Sequence, residues 1–137
     1  LFDEMMDFHV FDRPSDFHLE QDSATSRRRV GNRRPKPGEP AVFESGTRGP
    51  EGSEGFSLIA FLPNLSRTGN TVILGGTDMS GTEAAGMLLT TESFLADLLS
   101  RLPRRAGGGL PHFEVLLKTR QVETANRGFE IVALHVH

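Results

Sequence analysis

The sequence predicts a mixed α/β domain: a central mixed sheet with two consecutive helices packed on it and Phe-rich N-terminal strands at its edge. Three observations lead there. The run Phe56–Leu62 (FSLIAFL) is apolar at odd and even positions alike, as a strand covered on both faces must be. Residues 81–102 carry apolar side chains at helical spacing, followed by Pro103 and three glycines. Strand-like runs then close the chain at His112–Thr119 and Phe129–Val136.

Each element follows from local chemistry. Residues 7–12 (DFHVFD) and 17–21 (FHLEQ) are short and Phe-rich, and Arg13-Pro14-Ser15-Asp16 between them is a turn signal. They read as a hairpin or as two short strands. Pro35, Pro37 and Pro40 keep PKPGEP extended or turned. A short strand near Ala41–Glu44 leads to a surface loop from Ser45 to Gly55, with four glycines and mixed charge. Thr71–Leu74 is the next strand, and its β-branched residues suit that role.

Gly75–Gly81 leads into a helix over about Gly81–Thr90, and Ser80 and Glu83 have the spacing of a capping box. A second helix spans Glu92–Leu102, with Phe94, Leu95, Leu98, Leu99 and Leu102 on one stripe. Arg101, Arg104 and Arg105 complement its negative pole. Phe113, Val115 and Leu117 share one strand face. Strict alternation puts Phe129, Ile131 and Ala133 on one face of the last strand, with Val132, Leu134 and Val136 on the other. Gln121–Gly128 connects these strands as an antiparallel hairpin. The crossover from 71–74 to 112–119 is right-handed if those strands are parallel.

Composition sets outer bounds. The 137 residues suit a single domain, with a loop-rich, charge-segregated part over 1–55 and an apolar α/β core over 56–137. The absence of cysteine excludes a disulfide scaffold, a thiolate metal site, an iron–sulfur cluster and a cysteine nucleophile. The longest apolar run, Leu58–Leu62, is far below the roughly 20 residues of a membrane span. No span is therefore expected within these residues, and the expected location is cytoplasmic. The chain starts at Leu1 with no signal-like region, so it reads as a piece of a longer protein whose upstream part is an expected partner.

Charge is segregated. Seven acids and one base lie in residues 1–22, whereas residues 27–36 hold six bases and no acid. Arg28, Arg29, Arg33 and Arg34 are candidates for contact with a nucleic-acid backbone. The competing reading pairs these arginines with the acidic first segment, and the net charge of −3 and the lack of Tyr and Trp favour it.

One segment has the form of a ligand site. Gly76, Thr77, Asp78, Ser80, Gly81 and Thr82 lie between a buried strand and a helix N-terminus, where open α/β sheets bind ligands. Thr82-Glu83 stands where a phosphate-binding loop needs Lys-Ser/Thr, so phosphate is disfavoured. Two readings stand: a neutral polar or cationic ligand, or a turn shaped by glycine and by local Asp and Ser hydrogen bonds. A hydrolase would require Asp78, Glu83 and His112 to converge, although parallel strands put Asp78 and His112 at opposite ends. No nucleophile elbow of the form G-x-S-x-G occurs. His135 and His137 share a strand face at a spacing zinc sites use. A third ligand would be Glu130, His112, His9 or His18, and no pattern specifies which. Surface histidines are the expectation, with no metal and no cofactor. Asn64-Leu65-Ser66 is an N-glycosylation sequon.

Read jointly, Arg34–Pro40 (RPKPGEP), Phe56–Asn64 (FSLIAFLPN), Gly69–Gly86 (GNTVILGGTDMSGTEAAG) and Leu110–Arg120 (LPHFEVLLKTR) resemble the C-terminal part of an uncharacterised bacterial protein family. The resemblance covers most of residues 30–137. It implies a bacterial origin and longer chains with upstream α/β sequence, and it supplies no activity or catalytic residue. The expected function is a non-catalytic ligand-sensing or protein-interaction domain of a larger bacterial protein. The alternatives are the hydrolase-like trio and the arginine block. A homodimer through an edge strand or the Phe-rich segment is the expected self-association.

Overall fold

A computed structural model of the chain describes residues 2–4, 9–10, 13–46, 53–122 and 125–137. In chain order the first strands are β1 (Phe2–Glu4), β2 (His9–Val10), β3 (Arg13–Pro14), β4 (Phe17–Asp22), β5 (Arg28–Asn32) and β6 (Val42–Glu44). The long strands β7 (Ser53–Pro63) and β8 (Asn70–Gly76) precede helices α1 (Met79–Thr90) and α2 (Glu92–Ser100). Strands β9 (Phe113–Val122) and β10 (Ala125–Val136) complete the chain. Two four-stranded sheets result, ordered β1-β4-β5-β6 and β10-β9-β7-β8, with a small β2-β3 ladder beside them.

The α/β class is as expected. Its sheets differ from the expectation in two ways. Among the described residues every ladder is antiparallel. Strands β8 and β9 do run parallel to each other, but both pair with β7, which lies between them. The N-terminal strands also form a sheet of their own instead of extending an edge. The reason lies in β7, whose two apolar faces both need cover. Leu58, Ala60 and Leu62 pack with Val10, Phe17, Leu19, Val30 and Phe43 of the first sheet and its approach. Ile59 on the opposite face packs with Ala85, Leu88, Leu98 and Leu102 of the helical layer. The molecule is therefore three layers, sheet on sheet on helices, and β7 and β9 are the shared floor.

Local details follow the same logic. Helix α1 starts two residues earlier than the Ser80/Glu83 pattern suggests, because Asp78 is the N-cap and accepts from the Gly81 N–H at 2.7 Å. Arg13-Pro14, read as a turn, pairs with His9–Val10. Parts of three expected features, residues 7–8 and 11–12, the loop over 47–52, and 123–124, lie outside the described residues.

The last strand holds a decisive irregularity. The β9–β10 register shifts between Ile131 and Ala133. Phe129, Ile131 and Leu134 consequently join the helix-side cluster, while Val132 and Ala133 face the first sheet. Unbroken alternation would have left Ala133 on the same side as Phe129 and Ile131. The bulge swaps the faces, and His135, two residues after Ala133, turns toward the space between the sheets. No helix among the described residues is long and apolar enough to cross a membrane.

Candidate functional site

At one end of the inter-sheet core, polar groups replace apolar ones. Glu114 lies on β9 beside Leu116, on the face turned to the first sheet, and it is fully buried. Its register partner on β10 is His135. Its carboxylate accepts the backbone N–H groups of Asp16 at 2.9 Å and Phe17 at 3.0 Å, so it anchors the start of β4 to β9. His137 Nε2 lies 2.8 Å from the oxygen that also accepts from Asp16.

The donors fix the state of each ring. Arg13 donates to His137 Nδ1 at 2.9 Å, and a guanidinium cannot accept, so that nitrogen carries a lone pair. The His137 proton therefore sits on Nε2 and is donated to Glu114. His135 is different, because Nδ1 meets Asp16 Oδ2 at 2.8 Å and Nε2 meets Glu39 Oε1 at 2.7 Å. Both contacts are donor–acceptor pairs to ionised carboxylates only if the ring carries two protons. Phe17 packs against His135 with ring centroids 4.5 Å apart and shields it from water.

Asp16 is the hub. Its side chain is 6% exposed, Arg13 lies 3.7 Å and Arg34 3.9 Å from Oδ1, and His137 Nε2 lies 4.0 Å from Oδ2. Among the described residues Oδ1 has no hydrogen-bond partner. One ligand atom each from Asp16, Glu114 and His137 lies within 4.8 Å of the other two. Glu39 adds a third carboxylate behind His135. Burial is the largest influence on Glu39 and would raise its pKa. The Lys36 backbone N–H, His135 and Asn32 together outweigh burial and hold it below the ordinary 4.5.

The residues singled out from the sequence fall elsewhere. Thr77 Oγ1 accepts from the Phe56 N–H at 3.0 Å, and Thr82 Oγ1 donates to the Asp78 carbonyl at 3.3 Å. Asp78 caps the helix. A Cβ at Gly81 would lie 2.9 Å from the Phe56 carbonyl, and one at Gly76 would lie 2.8 Å from the Thr82 nitrogen. Ser80 sits in the first turn of α1. These residues close a tight strand-to-helix turn, which supports the turn-shaping reading. Gly76, Asp78 and Thr82 do line a surface cavity of about 500 Å³ with Arg28, Met79 and Glu83.

The hydrolase trio is not brought together. His112 bonds Asn70 at the start of β8 at 2.7 Å, whereas Asp78 and Glu83 follow the other end of that strand. The seven residues of β8 separate them by about 20 Å. Arg29 pairs with Glu20 and Glu44, Arg34 approaches Asp16, and Arg33 donates to the Ser15 carbonyl at 2.6 Å. The arginine block is thus largely engaged by its own chain.

The expectation of surface histidines fails, because the side chains of His135 and His137 are 3% and 4% exposed. Of the companions considered, His18 bonds Glu20 and His112 bonds Asn70 instead, and the His9 side chain lies outside the described residues. Glu130 is exposed. Asp16, Glu39, Glu114 and Arg13 were missed as site residues. The available signal was Glu114, the one charge inside the otherwise apolar FEVLL run.

No protein-family model, curated protein or solved structure matches the chain. The fold and cluster define its class by themselves: a three-layer α/β domain with a buried acid–histidine cluster where its two sheets join.

Proposed function

We propose that this is a non-catalytic ligand-sensing domain of a larger protein, and that its ligand is a small cation held between the sheets. The observation that carries this reading is the convergence of Asp16, Glu114 and His137 within 4.8 Å. Buried carboxylates this close repel unless a cation lies among them. The His135 ring, Arg13 and Arg34 supply that charge in the ligand-free arrangement. A ligand entering there touches β4, β9 and β10 together, so its arrival changes how the two sheets are held.

Thermal unfolding of the wild type and His137→Gln against a panel of small cations tests this. The panel holds ammonium, methylguanidinium, Mg2+, Ca2+ and Zn2+. At 100 times its Kd, a ligand specific to the folded state adds about 2.7 kcal/mol. One class should raise the wild-type Tm by several degrees and leave the variant unmoved. No shift with any member refutes the reading.

A further inference from the structure

We infer that the cation is a divalent transition metal of the zinc class, bound by Asp16 Oδ2, Glu114 Oε2 and His137 Nε2, with Arg13 as the gate. This rests on the reading of the cluster as a cation site. His137 Nε2 lies 2.8 Å from Glu114 Oε2 and 4.0 Å from Asp16 Oδ2. Ligands of a tetrahedral ion with bonds of about 2.0–2.1 Å stand roughly 3.3 Å apart, and the two distances bracket that spacing. The donor set is two carboxylates and one imidazole. Mg2+ and Ca2+ favour all-oxygen shells, whereas an imidazole nitrogen favours zinc and its neighbours.

The surroundings of Asp16 favour the same place. Asp16 is buried, and its Oδ1 accepts no hydrogen bond from any described residue and is faced by the guanidinium groups of Arg13 at 3.7 Å and Arg34 at 3.9 Å. The proposed ligand oxygen, Oδ2, is oriented by His135, which is in turn held by Glu39. Outer partners of this kind fix the direction of a ligating group.

Arg13 supplies the control. In the arrangement described, His137 keeps its proton on Nε2 because Arg13 donates to Nδ1. Metal binding at Nε2 moves that proton to Nδ1, so the ring stays neutral and no proton is released. Nδ1 then becomes a donor, and Arg13 must leave it. Arg13 can do so, because its side chain is 35% exposed while Asp16 is 6% exposed. The metal and the Arg13 contact therefore exclude each other.

Isothermal titration of the chelator-treated chain with zinc chloride is the test, with magnesium chloride and methylguanidinium chloride as parallel arms. The inference expects one zinc per chain, weakened more than about tenfold in His137→Gln and tightened in Arg13→Gln. The gain in Arg13→Gln guards against misfolding, since a damaged fold does not bind more tightly. Circular dichroism of each variant accompanies the titration. No zinc binding by the wild type overturns the inference, as does binding that His137→Gln leaves intact or that Arg13→Gln weakens. If methylguanidinium binds and zinc does not, the metal assignment falls while the cation-site reading stands.

Discussion

Replacing Glu114 by alanine removes the acceptor of three donors. Two are the backbone N–H groups of Asp16 and Phe17, and the third is His137 Nε2. Residues 16 and 17 are buried, so water does not replace the lost acceptor. Each orphaned buried donor costs about 1–3 kcal/mol. Breaking a buried charged network by removing one partner costs about 3–5 kcal/mol, and we expect Glu114→Ala to fall in that range. For a chain of this size each kcal/mol lowers Tm by about 3–4 °C, so the expected drop is about 9–20 °C. Glu114→Gln is the finer probe. It retains one carbonyl oxygen but turns an NH2 group toward a donor, and should cost about 2–3 kcal/mol. Urea unfolding at pH 7, followed by circular dichroism, measures both. An alanine variant within about 1 kcal/mol of the wild type would refute the argument that Glu114 fastens the two sheets, since it falls below even one buried orphan.

Other variants examine separate parts of the structure. Asp78→Ala removes the α1 cap and should cost about 1 kcal/mol. Gly81→Ala should destabilise despite alanine's helix propensity, because the new Cβ meets the Phe56 carbonyl at 2.9 Å; a more stable variant by urea unfolding contradicts this. Stability should also fall with acid in two stages. His112 is held below its ordinary 6.5, by burial above all and by the Arg105 charge behind it. Its contribution is full above pH 6.5 and is lost as pH falls through the lowered folded value, because the unfolded chain takes up the proton first. Glu39, held below 4.5, acts in the same sense in a lower window. His112→Asn should flatten the upper stage and Glu39→Gln the lower one, in urea unfolding free energies collected from pH 7 to 3. A wild-type profile flat across that span contradicts both assignments.

Hydrophobic periodicity made the second half of the fold legible. The doubly apolar FSLIAFL run becomes β7, with a covered face on each side, and the Leu98/Leu102 stripe packs against Ile59 and Val115. The first sheet was harder to read. Its strands are short and partly polar, and among the described side chains Phe17, Leu19, Val30 and Phe43 carry its core face. Glycine, Asp78 and Ser80 near a helix start are shared by ligand loops and simple caps, so their pattern leaves both readings open until the hydrogen bonds are seen. The cluster itself was not legible. Asp16 and Glu114 stand 98 residues apart, and Asp16 and His135 stand 119 apart. The final obstacle is the bulge near Val132, since strict alternation assigns Ala133, and with it the two histidines, to the wrong face.

The most direct test of the central claim follows the imidazole nitrogens by NMR during a zinc titration of the wild-type chain. The ligand-free chain should show His137 protonated at Nε2 and His135 protonated at both nitrogens. Addition of one equivalent should move the His137 proton to Nδ1, with saturation at one site. If the His137 signals remain fixed while those of His18 or His112 shift, the buried cluster is not the zinc site and the metal assignment is contradicted.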